Sequence, residues 1–112
     1  MESIEQRLDR IEFHQKLLMK MLSDGHYEFY RIIVEKQLQE KEVEAFYKLC
    51  EKLSEECEEQ KADNFVFFSP LFKKFKEELH SKLDPIEVIQ ACIKQNLYPE
   101  LMKILLKNIP KS

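Results

Sequence analysis

Glu77 and His80 are the two side chains whose spacing comes closest to that of a reactive site. Three residues apart on a helix, they share one face, as do the Glu-x-x-His pairs of di-iron bundles. Such a centre also needs a second Glu-x-x-His pair and two glutamates from other helices, and neither His14 nor His26 has that spacing. We therefore interpret Glu77 and His80 as surface polar side chains.

The acidic run Glu55-Glu56-Cys57-Glu58-Glu59 is a second cluster of potential metal ligands. On a helix its carboxylates flank Cys57 and point away from the face that carries the thiol. The run therefore indicates a solvated helix face. We predict neither a metal nor another cofactor for this chain.

Nucleophilic catalysis requires a reactive cysteine or serine beside a base and an orienting group. Cys50, Cys57 and Cys92 all lie within apolar stripes, where buried thiols are inert. Cys50 and Cys57 are about 10 Å apart along a helix, which is too far for a disulfide. The only glycine, Gly25, cannot form a glycine-rich phosphate loop by itself. The residues therefore predict reduced thiols and no enzymatic activity.

Composition and charge disfavour several kinds of partner. The net charge of -3 argues against a non-specific binder of polyanions, so we expect no nucleic-acid partner. The N-terminal residues Met1–Glu5 lack the basic and apolar regions of a secretory signal. No stretch of about 18 apolar residues is present, so we expect no membrane partner. These features, with the expectation of reduced thiols, predict a cytoplasmic protein.

The scarcity of glycine determines the predicted fold class. Hairpin turns and bulges normally need several glycines, and this chain of 112 residues has one. Apolar residues recur at spacings of three and four almost from end to end, which is the period of helices. We predict an all-α, multihelical protein of five to six helices per subunit, with residues 1–112 forming a single domain. Its parts are a long N-terminal helix at 3–23, a helical hairpin at 26–62 and three C-terminal helices at 69–110.

Several helix ends are marked by capping residues. Ser3-Ile4-Glu5-Gln6 has the form of a capping box, and Gly25 can take the left-handed position that ends the first helix. Ser69-Pro70 and Asp84-Pro85-Ile86-Glu87 combine an N-cap side chain with a proline at the first helical position. Asn96 is the expected left-handed residue after the fifth helix.

The first helix carries a narrow apolar seam. At about 20 residues it is roughly 30 Å long, which exceeds what a compact domain of this size needs. Gln15 interrupts the seam, and a polar residue in such a position can fix register and subunit number. The seam therefore predicts an oligomer interface formed by Ile4, Leu8, Ile11, Gln15, Leu18 and Leu22.

The second and third helices support two interpretations. Residues 27–36 are apolar nearly all round, which predicts a buried helix, and residues 36–39 form a tight connection to a helix at 40–61. A helix-turn-helix at residues 27–60 would make the chain a DNA-binding transcriptional regulator. Residues 40–60, however, hold eight glutamates against three lysines, a net charge of -5 that a recognition helix should not carry.

Two other segments also leave alternatives open. Asn64-Phe65-Val66-Phe67-Phe68 has strand propensity but no evident partner strand, so we interpret it as an extended, buried connector. The last helix places Lys103 and Lys107 opposite Leu101 and Leu105. It could lie on an anionic membrane surface, although docking on its own core is the commoner arrangement.

A resemblance extends over nearly the whole chain. It is carried by Ile4-Glu5-Gln6-Arg7-Leu8, Phe29-Tyr30, Lys48-Leu49-Cys50-Glu51-Lys52-Leu53-Ser54-Glu55-Glu56, Gln60-Lys61-Ala62, Lys82-Leu83-Asp84 and Leu97-Tyr98-Pro99-Glu100-Leu101-Met102. In these stretches the chain resembles the YhaI-like family of small uncharacterised Bacillus-type proteins. The resemblance implies a multihelical fold whose subunits intertwine into a trimer, and it supplies no catalytic residues. Family members tend to have glycine where this chain has Gln37 and Asn96.

These observations lead to one predicted function and one alternative. The chain is expected to be a non-enzymatic, self-associating cytoplasmic protein that acts through protein–protein contacts, with itself or with another protein. It is expected to form an intertwined homo-oligomer of helical bundles, with a trimer favoured. The alternative is a DNA-binding transcriptional regulator using residues 27–60.

Overall fold

The computed structural model describes residues 1–21, 26–62 and 69–109. Within those residues all regular secondary structure is helical, with six helices and no strand. The helices are α1 (Ile4–Met21), α2 (Glu28–Glu35), α3 (Glu40–Ala62), α4 (Ser69–Glu78), α5 (Pro85–Gln95) and α6 (Pro99–Lys107). The predicted all-α fold class is therefore confirmed. The predicted end of the first helix at Gly25 and the connector at 64–68 lie outside the described residues.

Two predicted N-terminal caps are present as hydrogen bonds. The backbone N–H of Gln6 donates to Ser3 Oγ at 3.1 Å, and the backbone N–H of Ser3 donates to Gln6 Oε1 at 2.9 Å. The backbone N–H of Glu87 donates to Asp84 Oδ2 at 2.9 Å. Each cap satisfies an amide that the first turn of the helix leaves without an intrahelical acceptor.

The described core is formed by α2 to α6. Helix α5 packs against both α2 and α6, and α3 packs against α4 and α6. Phe29, Phe75 and Ile89 are fully buried, and the aromatic rings of Phe29 and Phe46 lie 4.7 Å apart. Helix α6 buries Leu101 and Leu105, which confirms that it docks on its own core.

Helix α2 differs from the prediction of a helix buried on all sides. It buries Phe29 and Ile32, whereas Tyr30 and Val34 are exposed. The sequence pattern counted Tyr and Val as apolar, but a helix that packs on one side of the body needs only one covered face. Its first turn is capped from a distant helix, because Gln95 Oε1 of α5 accepts the backbone N–H groups of Phe29 and Tyr30 at 2.9 Å and 3.3 Å.

Three residues other than glycine have positive φ angles within the described residues: Gln37 at 56°, Asn96 at 60° and Tyr98 at 45°. Asn96 is the left-handed C-cap of α5, as its residue type predicted. Gln37 keeps the left-handed conformation that a glycine adopts freely, at a cost of about 1–2 kcal/mol. Tyr98 precedes α6, and its ring lies 6.3 Å from that of Tyr47.

Helix α1 contributes no buried residue to the subunit. The molecule measures 65 × 27 × 26 Å, with a radius of gyration of 17.3 Å, against about 13 Å for a compact chain of this length. The elongation agrees with an α1 that projects from the body formed by α2 to α6. Among the described helices, none combines the length and apolar character that crossing a membrane requires.

Candidate functional site

The apolar seam of α1 is exposed over its described length. Ile4 is 79% exposed and Ile11 46% exposed, and Leu8 and Leu18 are also open to solvent. Gln15 is exposed as well. The structure therefore places these five predicted interface residues on one uncovered face. Leu22, the sixth, lies outside the described residues.

A second apolar stripe on α1 was missed by the sequence analysis. It consists of Phe13, Leu17 and Met21, which are spaced four residues apart and are 57%, 42% and 72% exposed. At about 100° per residue, this stripe lies on roughly the opposite side of the helix from the seam. The regular spacing of four is the sequence signal for this stripe, and it is masked by the seam, which already accounts for one apolar face. Helix α1 therefore presents two apolar surfaces, enough to contact two neighbouring helices at once.

Charged residues on the N-terminal half of α1 are divided between the two flanks of the seam. Glu5, Asp9 and Glu12, at spacings of four and three, lie along one flank. Arg7 and Arg10 lie along the other flank, and all five side chains are exposed. The seam is consequently bordered by an acidic edge and a basic edge.

A groove on the body runs between α3 and the C-terminal end of α4 with the connection that follows it. The part of the groove beside the N-terminal half of α3 has a volume of about 300 Å³. Its lining is mainly apolar and includes Ala45, Leu49, Leu79 and Leu83. A second hollow of about 270 Å³ shares Ala45 and Leu49 and extends the groove along α3. We call this continuous depression the α3–α4 groove.

The rims of the α3–α4 groove are charged. Lys41, Lys48 and Lys52 lie along the α3 rim, and all three are exposed. Glu78 stands on the α4 rim, where its carboxylate accepts from Lys52 Nζ at 3.1 Å. Although residues 40–60 are acidic overall, their three lysines therefore fall on one stripe of the helix.

The Glu42–His80 pair closes one end of the α3–α4 groove. Glu42 Oε2 contacts His80 Nε2, and Glu42 Oε1 accepts the backbone N–H of Gln39 at 2.8 Å. That backbone hydrogen bond is the main cause that lowers the pKa of Glu42, with His80 and nearby lysines adding to it. The backbone N–H of Lys82 donates to His80 Nδ1 at 3.0 Å, so both ring nitrogens have partners. His80 thus joins the start of α3 to the connection between α4 and α5.

Two of the groups considered for metal binding, His80 and Glu56, are engaged in other contacts. His80 contacts Glu42, while Glu77, its predicted neighbour on the same face, is exposed. Glu56 of the acidic run accepts from Lys74 Nζ at 3.0 Å, and Cys57 is buried in the core. Within the described ranges, no three His, Cys, Asp or Glu side chains are arranged to hold a metal ion.

All three cysteines are buried, and none of them forms a disulfide bond. Burial raises the pKa of the Cys92 thiol to about 12 and raises that of Cys50 still further. Since the thiolate is the reactive form of cysteine, both thiols stay neutral at physiological pH. This agrees with the prediction that Cys50 and Cys57 face the core.

The chain matches a family model over residues 1–110, and that family is described as "Protein of unknown function (DUF1878)". The match covers the six helices of the described residues, including α1 with both of its apolar stripes.

Proposed function

Because the chain belongs to the DUF1878 family, whose description names no activity, we propose a function from its surfaces: a non-enzymatic, self-associating helical protein that acts through protein–protein contacts. The oligomer is built by α1, and a trimer is the favoured state. Its site of action is the cytoplasm. In this proposal the seam residues Ile4, Leu8, Ile11, Gln15, Leu18 and Leu22 form the interface between subunits.

The observation that carries the proposal is the exposure of α1. Seven large apolar side chains of this helix are open to solvent: Ile4, Leu8, Ile11, Phe13, Leu17, Leu18 and Met21. Fully burying one such side chain contributes about 1.5–3 kcal/mol. Burying even half of these side chains in an interface would therefore offset much of the entropic cost of association. Exposed apolar stripes of this kind mark interaction sites.

Two features support a trimer over a dimer. The two apolar stripes of α1 allow the helix to contact two neighbouring helices, whereas a two-stranded coiled coil needs only one. Gln15 lies within the seam, where a polar side chain favours one register and one subunit number. The resemblance described above also implies a trimer.

No feature of the described parts of α2 and α3 favours the DNA-binding alternative. The exposed lysines of α3 form one stripe beside an apolar groove, and the rest of the solvent-facing helix is rich in glutamate. We therefore do not propose DNA binding.

The test is sedimentation of Ile11→Asp against the wild type. An aspartate at Ile11 would place a charge in the centre of the seam, which is costly unless the interface opens. We expect the wild type to sediment as a trimer at tens of micromolar and the variant to lose that species. Lys16→Asp, which places the same side chain outside both apolar stripes, should keep the trimer. A wild-type protein that sediments as a monomer would refute the proposal.

A further inference from the structure

We propose that the α3–α4 groove is the receptor for α1 of a second copy of this chain. The inference rests on the self-association proposed above and goes further, because it names the surface that α1 covers. In this arrangement the N-terminal half of α1 lies along the groove with its seam facing inward.

Apolar character matches on the two surfaces. The groove presents Ala45 and Leu49 from α3 and Leu79, the residue directly after α4, and Ala45 leaves room for an incoming side chain. From Lys41 to Lys52 the α3 rim is about 16 Å long. Ile4, Leu8 and Ile11 span about 10 Å along α1, so this part of the seam fits within the groove.

Charge and spacing also match. Lys41 and Lys48 are seven residues apart on the α3 rim, and Glu5 and Glu12 are seven residues apart on the acidic flank of α1. Because the spacings are equal, a single alignment of α1 beside α3 can bring both glutamates next to the two lysines. On the α4 rim, Glu78 is opposite in charge to the arginine flank of α1.

The occupant is a second copy because α1 of the same subunit projects away from its body. Helix α1 buries none of its residues in its own subunit, and the molecule extends to 65 Å along its longest axis. Both halves of the contact are nevertheless present in every copy of the chain. Docking α1 into a different surface of the next subunit is a heterologous contact, and such contacts generate closed rings when the rotation between subunits allows.

Charge reversal tests the contact in both directions. The groove variant carries Lys41→Glu and Lys48→Glu, and the α1 variant carries Glu5→Lys and Glu12→Lys. Each should weaken association by about tenfold or more, and combining all four changes should restore most of it. Lys103→Glu with Lys107→Glu on exposed positions of α6 is the control and should leave association unchanged. Failure of the fourfold variant to recover would contradict the proposed contact.

Cysteine cross-linking identifies the occupant. Ala45→Cys is combined in turn with Ile4→Cys, Leu8→Cys and Ile11→Cys, and the protein is oxidised and analysed under denaturing conditions. We expect at least one pair to give covalent multimers up to the size of the native oligomer, and each single variant to give none. The native thiols do not interfere because they are buried.

The other outcomes separate this inference from the proposed function. Links within one chain would mean that α1 occupies its own groove, which overturns the inference. Two results together would mean that α1 packs on α1 of another subunit: the groove variant associates as strongly as the wild type, and Leu8→Cys forms links without Ala45→Cys. Those results overturn the groove contact and leave self-association standing. A monomeric wild type would instead refute self-association itself.

Discussion

Replacing Gln95 with alanine should destabilise the protein through α2, although Gln95 belongs to α5. Its side-chain oxygen is the acceptor for the backbone N–H groups of Phe29 and Tyr30, and Tyr27 provides no side-chain cap. An N-cap acceptor contributes about 0.5–2 kcal/mol. The hydrogen bond to Phe29 provides the larger share of this stabilisation, because Phe29 is fully buried and its backbone amide has poor access to water.

We expect Gln95→Ala to lower the free energy of unfolding by about 1.5 kcal/mol. With a urea dependence of about 1.5 kcal/mol per molar, the unfolding midpoint should fall by about 1 M. The measurement is urea unfolding followed by circular dichroism, at one protomer concentration for all variants, since the stability of an oligomer depends on concentration.

Two control variants separate the cap from other effects. Gln95→Glu keeps a side-chain oxygen at the positive end of α2 and should change stability by less than about 0.5 kcal/mol. Gln90→Ala removes the same side-chain type from an exposed position on the same helix and should have little effect. An unchanged midpoint for Gln95→Ala, or an equal loss for Gln95→Glu, would refute the capping argument.

Two substitutions and one labelling experiment test other parts of the fold. Gln37→Gly should stabilise the protein by about 0.5–1 kcal/mol in urea unfolding, because Gln37 has a φ of 56°; a loss of stability would mean that its side chain contributes contacts. Cys50 and Cys57 should react slowly with a thiol reagent without denaturant, and labelling as fast as in the unfolded chain would contradict their burial. The hydrogen bond from the backbone N–H of Gln39 lowers the pKa of Glu42, so its stabilisation is present above the ordinary glutamate pKa and is lost as the pH falls. The stability advantage of wild type over Glu42→Gln should therefore shrink below about pH 4.3 in acid unfolding, and a constant advantage would be evidence against it.

The helix caps could be predicted because the two residues that form each capping hydrogen bond lie close together in sequence. The caps at Ser3 and Asp84 need only a residue three positions away, and Asn96 is favoured at a left-handed position by its own side chain. The cap that Gln95 provides for α2 could not be predicted, since it depends on how α5 packs against α2. The left-handed Tyr98 is similar, because a bulky aromatic residue disfavours that conformation when considered alone.

Of the two surfaces that form the candidate site, the α1 seam could be predicted from the sequence and the α3–α4 groove could not. The seam around Ile11 follows from heptad spacing, and its exposure agrees with an interface outside the subunit. The α3–α4 groove depends on tertiary structure, in which Ala45 and Leu79 become neighbours and His80 reaches Glu42. The three lysines of α3 counted only as part of an acidic total until the structure placed them along one rim.

The absence of buried residues on α1 has a consequence for how this chain tolerates substitution. The core formed by α2 to α6 does not use α1, so changes on this helix do not alter the packing on which that core depends. Selection can act on the apolar stripes of α1 only through whatever covers them. Two sets of positions are therefore under separate evolutionary constraint, one judged by folding within a single subunit and the other by recognition between molecules.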